Sequence, residues 1–135
     1  MPMAPWSSQF ETGLELIDAQ HRMLFDLLNE LDAAVAEGSS AQKVEEGLAR
    51  VARQSIRHFQ SEETHMKALA YPARVRHAEE HHHLILQVRS IQYLQAKGEP
   101  VTAEVTEFLT DWFDHHIREA DMDYVAYAKV LPQMP

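Results

Sequence analysis

Proline occurs in this chain only at positions 2, 5, 72, 100, 132 and 135, and that spacing decides most of what the chain can fold into. A proline inside a helix removes a backbone bond and collides with the preceding turn, so long runs without one can be helical throughout. Gly38-Ser39-Ser40 interrupts the first run, Tyr71-Pro72 closes the second, and Gly98-Glu99-Pro100 divides the third from the fourth. Within each segment apolar residues recur at alternating spacings of three and four, which lays one stripe along a helix. Helices are therefore predicted at about 18–37, 41–69, 74–97 and 101–118, with a shorter helical tail at about 122–130 and an irregular arm before residue 14. No strand pattern competes with this reading.

The stripes are Ile17, His21, Leu24, Leu28, Leu31, Val35 on the first helix and Val44, Leu48, Val51, Ser55, His58, Glu62 on the second. The third carries His77, His81, Leu84, Val88, Ile91, and the fourth Val101, Val105, Phe108 with Leu109, Trp112, His116. Short connections between helices of similar length make consecutive helices antiparallel, so the expected fold is all-α, a single up-down-up-down four-helix bundle over 1–135.

At 135 residues without cysteine the chain must form its core without disulfides, and thiolate metal sites are excluded. The formal charge of −9 works against phosphate backbones and anionic membranes, which call for clustered lysine and arginine. No nucleic acid or membrane partner is expected, and with neither an apolar leader nor a membrane-length run the expectation is a cytoplasmic monomer.

The informative departures are six polar residues in otherwise apolar stripes: His21, His58, Glu62, His77, His81 and His116. Antiparallel packing brings the start of helix one, the end of helix two, the start of helix three and the end of helix four to one end of the bundle, and all six lie there. His58 and Glu62 are spaced i, i+4, as are His77 and His81, so each pair projects from one face across a single turn. One histidine on an apolar stripe is more often a hydrogen-bonded core residue than a ligand. Five with a carboxylate, converging from four helices, would leave costly unpaired groups unless something bound them. That donor number exceeds a closed zinc site and suits two first-row metal ions, with iron or manganese fitting mixed nitrogen and oxygen donors. Glu62 can bridge two ions, and a second bridging carboxylate is sought among Glu119, Asp121 and Asp123. His82, His83 and His115 lie off the ligand faces and are expected in solvent, whereas His65 is placed one turn beyond the ligand layer.

The runs Trp6…Phe10…Thr12-Gly13…Ile17-Asp18-Ala19-Gln20-His21, His58-Phe59-Gln60-Ser61-Glu62-Glu63, His77-Ala78-Glu79-Glu80-His81 and Trp112-Phe113-Asp114-His115-His116-Ile117-Arg118-Glu119-Ala120-Asp121 resemble the bacterial hemerythrins. The likeness covers nearly the whole chain, with the ligand pattern His, His-x3-Glu, His-x3-His, His-x4-Asp in order. It implies a non-haem centre of two iron ions with an oxo or hydroxo bridge, His77, His81 and His116 on one iron, His21 and His58 on the other, and Glu62 and Asp121 bridging. Asp121 stands five residues after His116, so on a continuing α-helix it would point ~140° away. Helix four is therefore expected to end or distort before Asp121, with the tail beginning near this N-cap residue type.

The resemblance further implies that dioxygen binds reversibly at the iron with two histidines. A dry pocket is needed for that, and Leu24, Phe25, Phe59, Trp112, Phe113 and Ile117 are the candidate walls. Phe113 stands where leucine is common in the family. The main rival is a ferritin-like oxidase site with two Glu-x-x-His motifs; Glu62-Glu63-Thr64-His65 and Glu79-Glu80-His81-His82 fit the spacing, but Glu79 and His82 lie off the ligand stripe. Neutral imidazoles should favour ferrous iron and the return of oxygen. The expectation is thus an oxygen-binding protein and not an enzyme, serving storage, scavenging, sensing or delivery to an oxygenase.

Overall fold

A computed structural model describes residues 6–130 of the chain. After a 3-10 turn at Ser8–Phe10 come α1 (Glu15–Ala36), α2 (Ala41–Ala68), α3 (Arg74–Ala96) and α4 (Ala103–His116), then a π turn at Ile117–Asp121 that leads into α5 (Met122–Val130). No strand occurs among the described residues. Helix α1 packs against α2 and α4, and α2 against α3, which makes the four long helices a bundle.

Three helix ends follow one rule: a residue with positive φ turns the chain out of the helix. Gly38 (φ 69°) ends α1, with Ser39 N–H donating to Ala34 O at 3.0 Å, and Gly98 (φ 100°) ends α3, with Glu99 N–H donating to Leu94 O at 3.0 Å. Ala70 ends α2 with a φ of 52° and no glycine to relieve its Cβ. Pro72 follows, so the helix cannot resume.

Helix α1 begins at Glu15, three residues before the expected start, because Asp18 serves the preceding loop. Its carboxylate accepts from Thr12 N–H at 2.8 Å, Thr12 Oγ1 at 2.7 Å and Gly13 N–H at 3.1 Å. These bonds outweigh burial and lower the Asp18 pKa. They tie down the arm, whose Trp6 and Phe10 pack edge or tilted against each other and Phe25.

The core runs through Leu24, Leu28, Leu31, Val44, Leu48, Val51, Leu84, Val88, Leu109 and Phe113. Burying each such large side chain contributes about 1.5–3 kcal/mol before chain entropy is set against it. The stripes of α1, α2 and α3 face this core much as the spacing suggests. In the fourth stripe Leu109 and His116 are buried, with Val101, Val105 and Trp112 packed against the core, but Phe108 turns outward and two threonines are buried beside the stripe. Thr106, Leu109, Thr110 and Phe113 are buried, while Phe108 is 41% exposed. Thr106 can occupy the interior because its hydroxyl lies 3.0 Å from both Asp32 Oδ1 and Ala103 O.

Candidate metal centre

The expected end of the bundle gathers seven side chains. His21 comes from α1, His58 and Glu62 from α2, His77 and His81 from α3, His116 from the end of α4, and Asp121 from the π turn; all are buried. Their donor atoms fall into two sets, Glu62, His77, His81, His116, Asp121 and His21, His58, Glu62, Asp121, each with atoms within 4.8 Å of one another. The sets share the two carboxylates. His21 Nε2 is 3.0 Å from Asp121 Oδ2, His77 Nε2 3.0 Å and His116 Nε2 3.2 Å from Asp121 Oδ1. Glu62 Oε1 is 3.1 Å from His81 Nε2 and 3.5 Å from His77 Nε2, and Glu62 Oε2 is 3.5 Å from His58 Nε2.

Backbone geometry explains how Asp121 arrives. In a π turn the hydrogen bond runs from i to i+5, so residues five apart stand one above the other. His116 and Asp121 have that spacing, and both turn inward. The helix therefore distorts without stopping, and α5 starts at Met122 with Asp121 buried, not capping it. Of the three carboxylates considered for this role, Glu119 and Asp123 are exposed.

Most of the close approaches are poorly aligned as hydrogen bonds. Among the described residues ten buried side-chain nitrogen and oxygen atoms lack a hydrogen bond, and eight belong to this cluster: both ring nitrogens of His21, Nε2 of His58 and His77, and both oxygens of Glu62 and Asp121. Leaving buried polar atoms unpaired costs on the order of 1–3 kcal/mol each. The arrangement fits cations placed between the imidazoles and the carboxylates, which would satisfy seven of these eight atoms together; Nδ1 of His21 faces away from the carboxylates.

Protonation favours the same reading. Burial, with His21 nearby, pushes the His58 pKa down to about 3, and burial with His116 pushes His81 down to about 2, so both keep a free lone pair at neutral pH. At His77 burial is outweighed by Asp121 and Glu62, and the pKa rises to about 9. Burial and the Asp121 charge hold the Glu62 carboxyl well above the usual range. At Asp121 burial acts in the same direction, but His116, His21 and His77 overcome it and hold that carboxyl well below. The two carboxylates are thus driven apart, as neighbouring acids in one site are.

Three residues that the sequence reading did not place in the site hold the outer ring nitrogens, each from the helix before. Gln20 on α1 meets His58 Nδ1 at 2.6 Å, Glu63 on α2 meets His81 Nδ1 at 2.8 Å, and Glu80 on α3 meets His116 Nδ1 at 3.3 Å. Gln20 is itself held by Ser61, whose hydroxyl lies 3.3 Å from Gln20 Nε2. Such partners fix ring orientation and tautomer and strengthen the imidazole as a donor. The available signal was adjacency: each neighbours a candidate ligand in sequence, about 100° round its helix and facing the next one.

The six candidate wall residues join one core cluster. Phe59 stacks on the His81 ring at 3.9 Å and Trp112 on the His116 ring at 4.5 Å. Leu24, Phe25, Phe59, Phe113 and Ile117 are buried, and Trp112 is half-buried. His82, His83 and His115 are exposed, as is Glu79, so the ferritin-like motif does not assemble. His65 is half-buried with Nδ1 bonded to the Tyr124 hydroxyl. Burial, with Glu62 and Asp121 close by, raises the Tyr124 pKa and keeps it a neutral phenol.

Residues 12–128 match the sequence profile of the hemerythrin HHE cation binding domain. The chain belongs to the hemerythrin family. It is 30% identical over 129 residues to a bacteriohemerythrin of Stenotrophomonas maltophilia, covering 96% of this chain and 84% of that one. It is likewise 30% identical over 126 residues to one of Methylococcus capsulatus, covering 92% and 95%. A crystal structure of wild-type hemerythrin superposes with a TM-score of 0.87 at 29% identity, covering 92% of this chain and 96% of that chain. Within this hemerythrin-family chain, no helix among the described residues is long and apolar enough to cross a membrane.

Proposed function

We propose that the buried cluster holds two iron ions and that the protein binds dioxygen reversibly as a carrier. The observation that carries this reading is the pair of donor sets sharing Glu62 and Asp121, whose four oxygens have no hydrogen-bond partner. His77, His81 and His116 would hold one ion and His21 and His58 the other, with both carboxylates bridging. The set with three imidazoles would be the more fully liganded, leaving the other ion with room for a small molecule. When bound, a ferrous pair can lend electron density to dioxygen and recover it.

The chain's own residues set the conditions for this. Five imidazoles against two carboxylates keep the donor set poor in negative charge, which supports the lower oxidation state. Leu24, Phe25, Phe59, Phe113 and Ile117 present no polar side-chain atom, so they exclude water and protons from the small ligand. Glu63, Glu80 and Gln20 hold the imidazoles from behind. The names borne by the relatives support the reading, and the rearward hydrogen bonds and apolar walls are what it needs. The test is the optical spectrum of the anaerobic, ferrous protein as oxygen is admitted and then removed. A visible charge-transfer band that appears and fades is the expected result; irreversible conversion to a ferric spectrum would overturn the carrier reading.

A further inference from the structure

Tyr124 is fully buried, and its ring centroid lies 6.0 Å from that of His77 at an interplanar angle of 81°. Its hydroxyl meets His65 Nδ1. A buried phenol O–H requires an acceptor, so Tyr124 donates and His65 carries its own proton on Nε2, a tautomer assigned from this bond. On the far side Tyr71 lies 6.0 Å from Tyr124, and Tyr127 5.2 Å from Tyr71. Three phenols thus run from the ligand cluster to the half-buried Tyr127. His65 is half-buried too, and lines a surface groove with Leu14, Ile17 and Thr64, which gives its ring a route to solvent.

Packing alone requires only that the phenol O–H be satisfied, and a backbone carbonyl would do that. An imidazole does more, because it can accept the proton outright. A phenol gives up an electron readily only when its proton leaves with it, since the phenol radical cation is a strong acid. Among the described residues, the inner tyrosine is the one hydrogen-bonded to such a base.

We propose that Tyr124 and His65 form a redox pair that draws oxidising equivalents away from the ligand cluster, with Tyr71 and Tyr127 as the onward path. One electron leaves the Tyr124 phenol and reduces the oxidant. The O–H bond breaks, an N–H bond forms at His65 Nδ1, and a phenoxyl radical beside an imidazolium remains. Tyr71 then restores Tyr124 with one electron, His65 returns the proton, and the Tyr71 hydroxyl proton passes to solvent. The oxidant is a peroxide-derived one-electron oxidant. Dioxygen is too weak to oxidise a phenol, so oxygen carriage leaves the pair untouched. The place where that oxidant arises rests on the metal reading above, whereas the redox competence of the pair does not.

The first experiment uses full-length protein loaded with zinc, which is redox-inert, so it stands whether or not iron is the resident metal. Tyr71, Tyr93 and Tyr127 are changed to phenylalanine, leaving Tyr124 as the one tyrosine of the four. Flash oxidation with a photo-oxidised ruthenium tris(bipyridine) complex, read by EPR, is expected to give a hydrogen-bonded phenoxyl signal. Adding His65→Leu should shorten its lifetime by at least about tenfold, the worth of one hydrogen bond. Should the triple variant not fold, Tyr93→Phe with and without Tyr124→Phe isolates the share of the phenoxyl signal that comes from Tyr124, and adding His65→Leu to Tyr93→Phe repeats the lifetime comparison on that share. Absence of a phenoxyl signal from Tyr124, or the same yield and lifetime without His65, would overturn the proposal. In the iron-loaded protein, Tyr124→Phe should raise peroxide-driven oxidation of the ligand histidines several-fold by mass spectrometry; unchanged damage would overturn the protective role.

Discussion

His116 and Asp121 stand five residues apart with Nε2 and Oδ1 3.2 Å from each other, across a π turn that a regular helix would not allow. One extra residue in the turn is what converts a carboxylate pointing ~140° away into one that faces the same site. Moving the carboxylate back by one position therefore gives a sharp prediction. The double change Ala120→Asp/Asp121→Ala would restore the site on a regular α-helix, where i+4 shares a face, but fails on the π turn. Metal analysis should show fewer ions per chain with helicity by circular dichroism unchanged; full metal content would show that the turn is α.

The rearward hydrogen bonds give a graded prediction. Glu63→Gln and Glu80→Gln each leave the first-rank donors in place but remove the anionic partner of His81 or His116. Metal affinity, measured by competition with a chelator, should fall by roughly 10–100-fold. His82→Ala and His83→Ala, both exposed, should leave it unchanged, and His58→Ala should lose metal. A loss in either of the exposed variants equal to that of His58→Ala would contradict the orientation of α3.

Stability of the metal-free protein should pass through a maximum near pH 6.5. His58 and His81 have folded pKa values lowered to about 3 and about 2. The unfolded chain binds those protons first, so stability rises with pH up to about 6.5. His77 is raised to about 9; its contribution is complete below about 6.5 and is lost as pH climbs through 9. Glu62, raised by burial and Asp121, adds to the decline above its unfolded value. Urea melts across this range check the curve, and a monotonic rise from pH 6 to 9 without metal would contradict it. With metal bound the alkaline decline should disappear, because the ions displace the proton on His77.

The arm at the start of the chain depends on a single carboxylate. Asp18→Asn keeps one oxygen for the two Thr12 donors but removes the charge and places an N–H2 group against the Gly13 N–H, so the cost should be about 1–3 kcal/mol. The wild-type contribution is present above pH 3.8 and is lost as pH falls through the lowered folded pKa. Asp18→Asn should abolish that acid-side component in urea melts, and an unchanged midpoint at pH 7 would show that the arm is held by Trp6 and Phe10 alone.

How much of this was legible in the sequence depends on whether side-chain period carried the information. Leu24, Leu48 and Leu84 report their faces because α1, α2 and α3 are regular, and the same period brings His21, His58 and His81 to one level. On α4 the period misplaced one residue, since Phe108 is more apolar than Thr106 and Thr110, yet it is exposed and the threonines are buried. Nothing in a hydropathy pattern reveals that Asp32 waits for the Thr106 hydroxyl. The π turn is equally silent, because no glycine or proline stands between His116 and Asp121; only the resemblance marked Asp121 among three acids. Gln20, Glu63 and Glu80 were hidden for another reason: each is hydrogen-bonded to a candidate ligand on the next helix, a relation between helices that appears once the bundle is assembled.

The most direct test is a count of the ions. Full-length protein loaded anaerobically with ferrous iron, freed of excess and weighed by native mass spectrometry, should carry two irons per chain, and His21→Ala should carry fewer without unfolding. One iron or none in the wild type, at saturating iron, would contradict the assignment of these seven side chains to a two-metal centre.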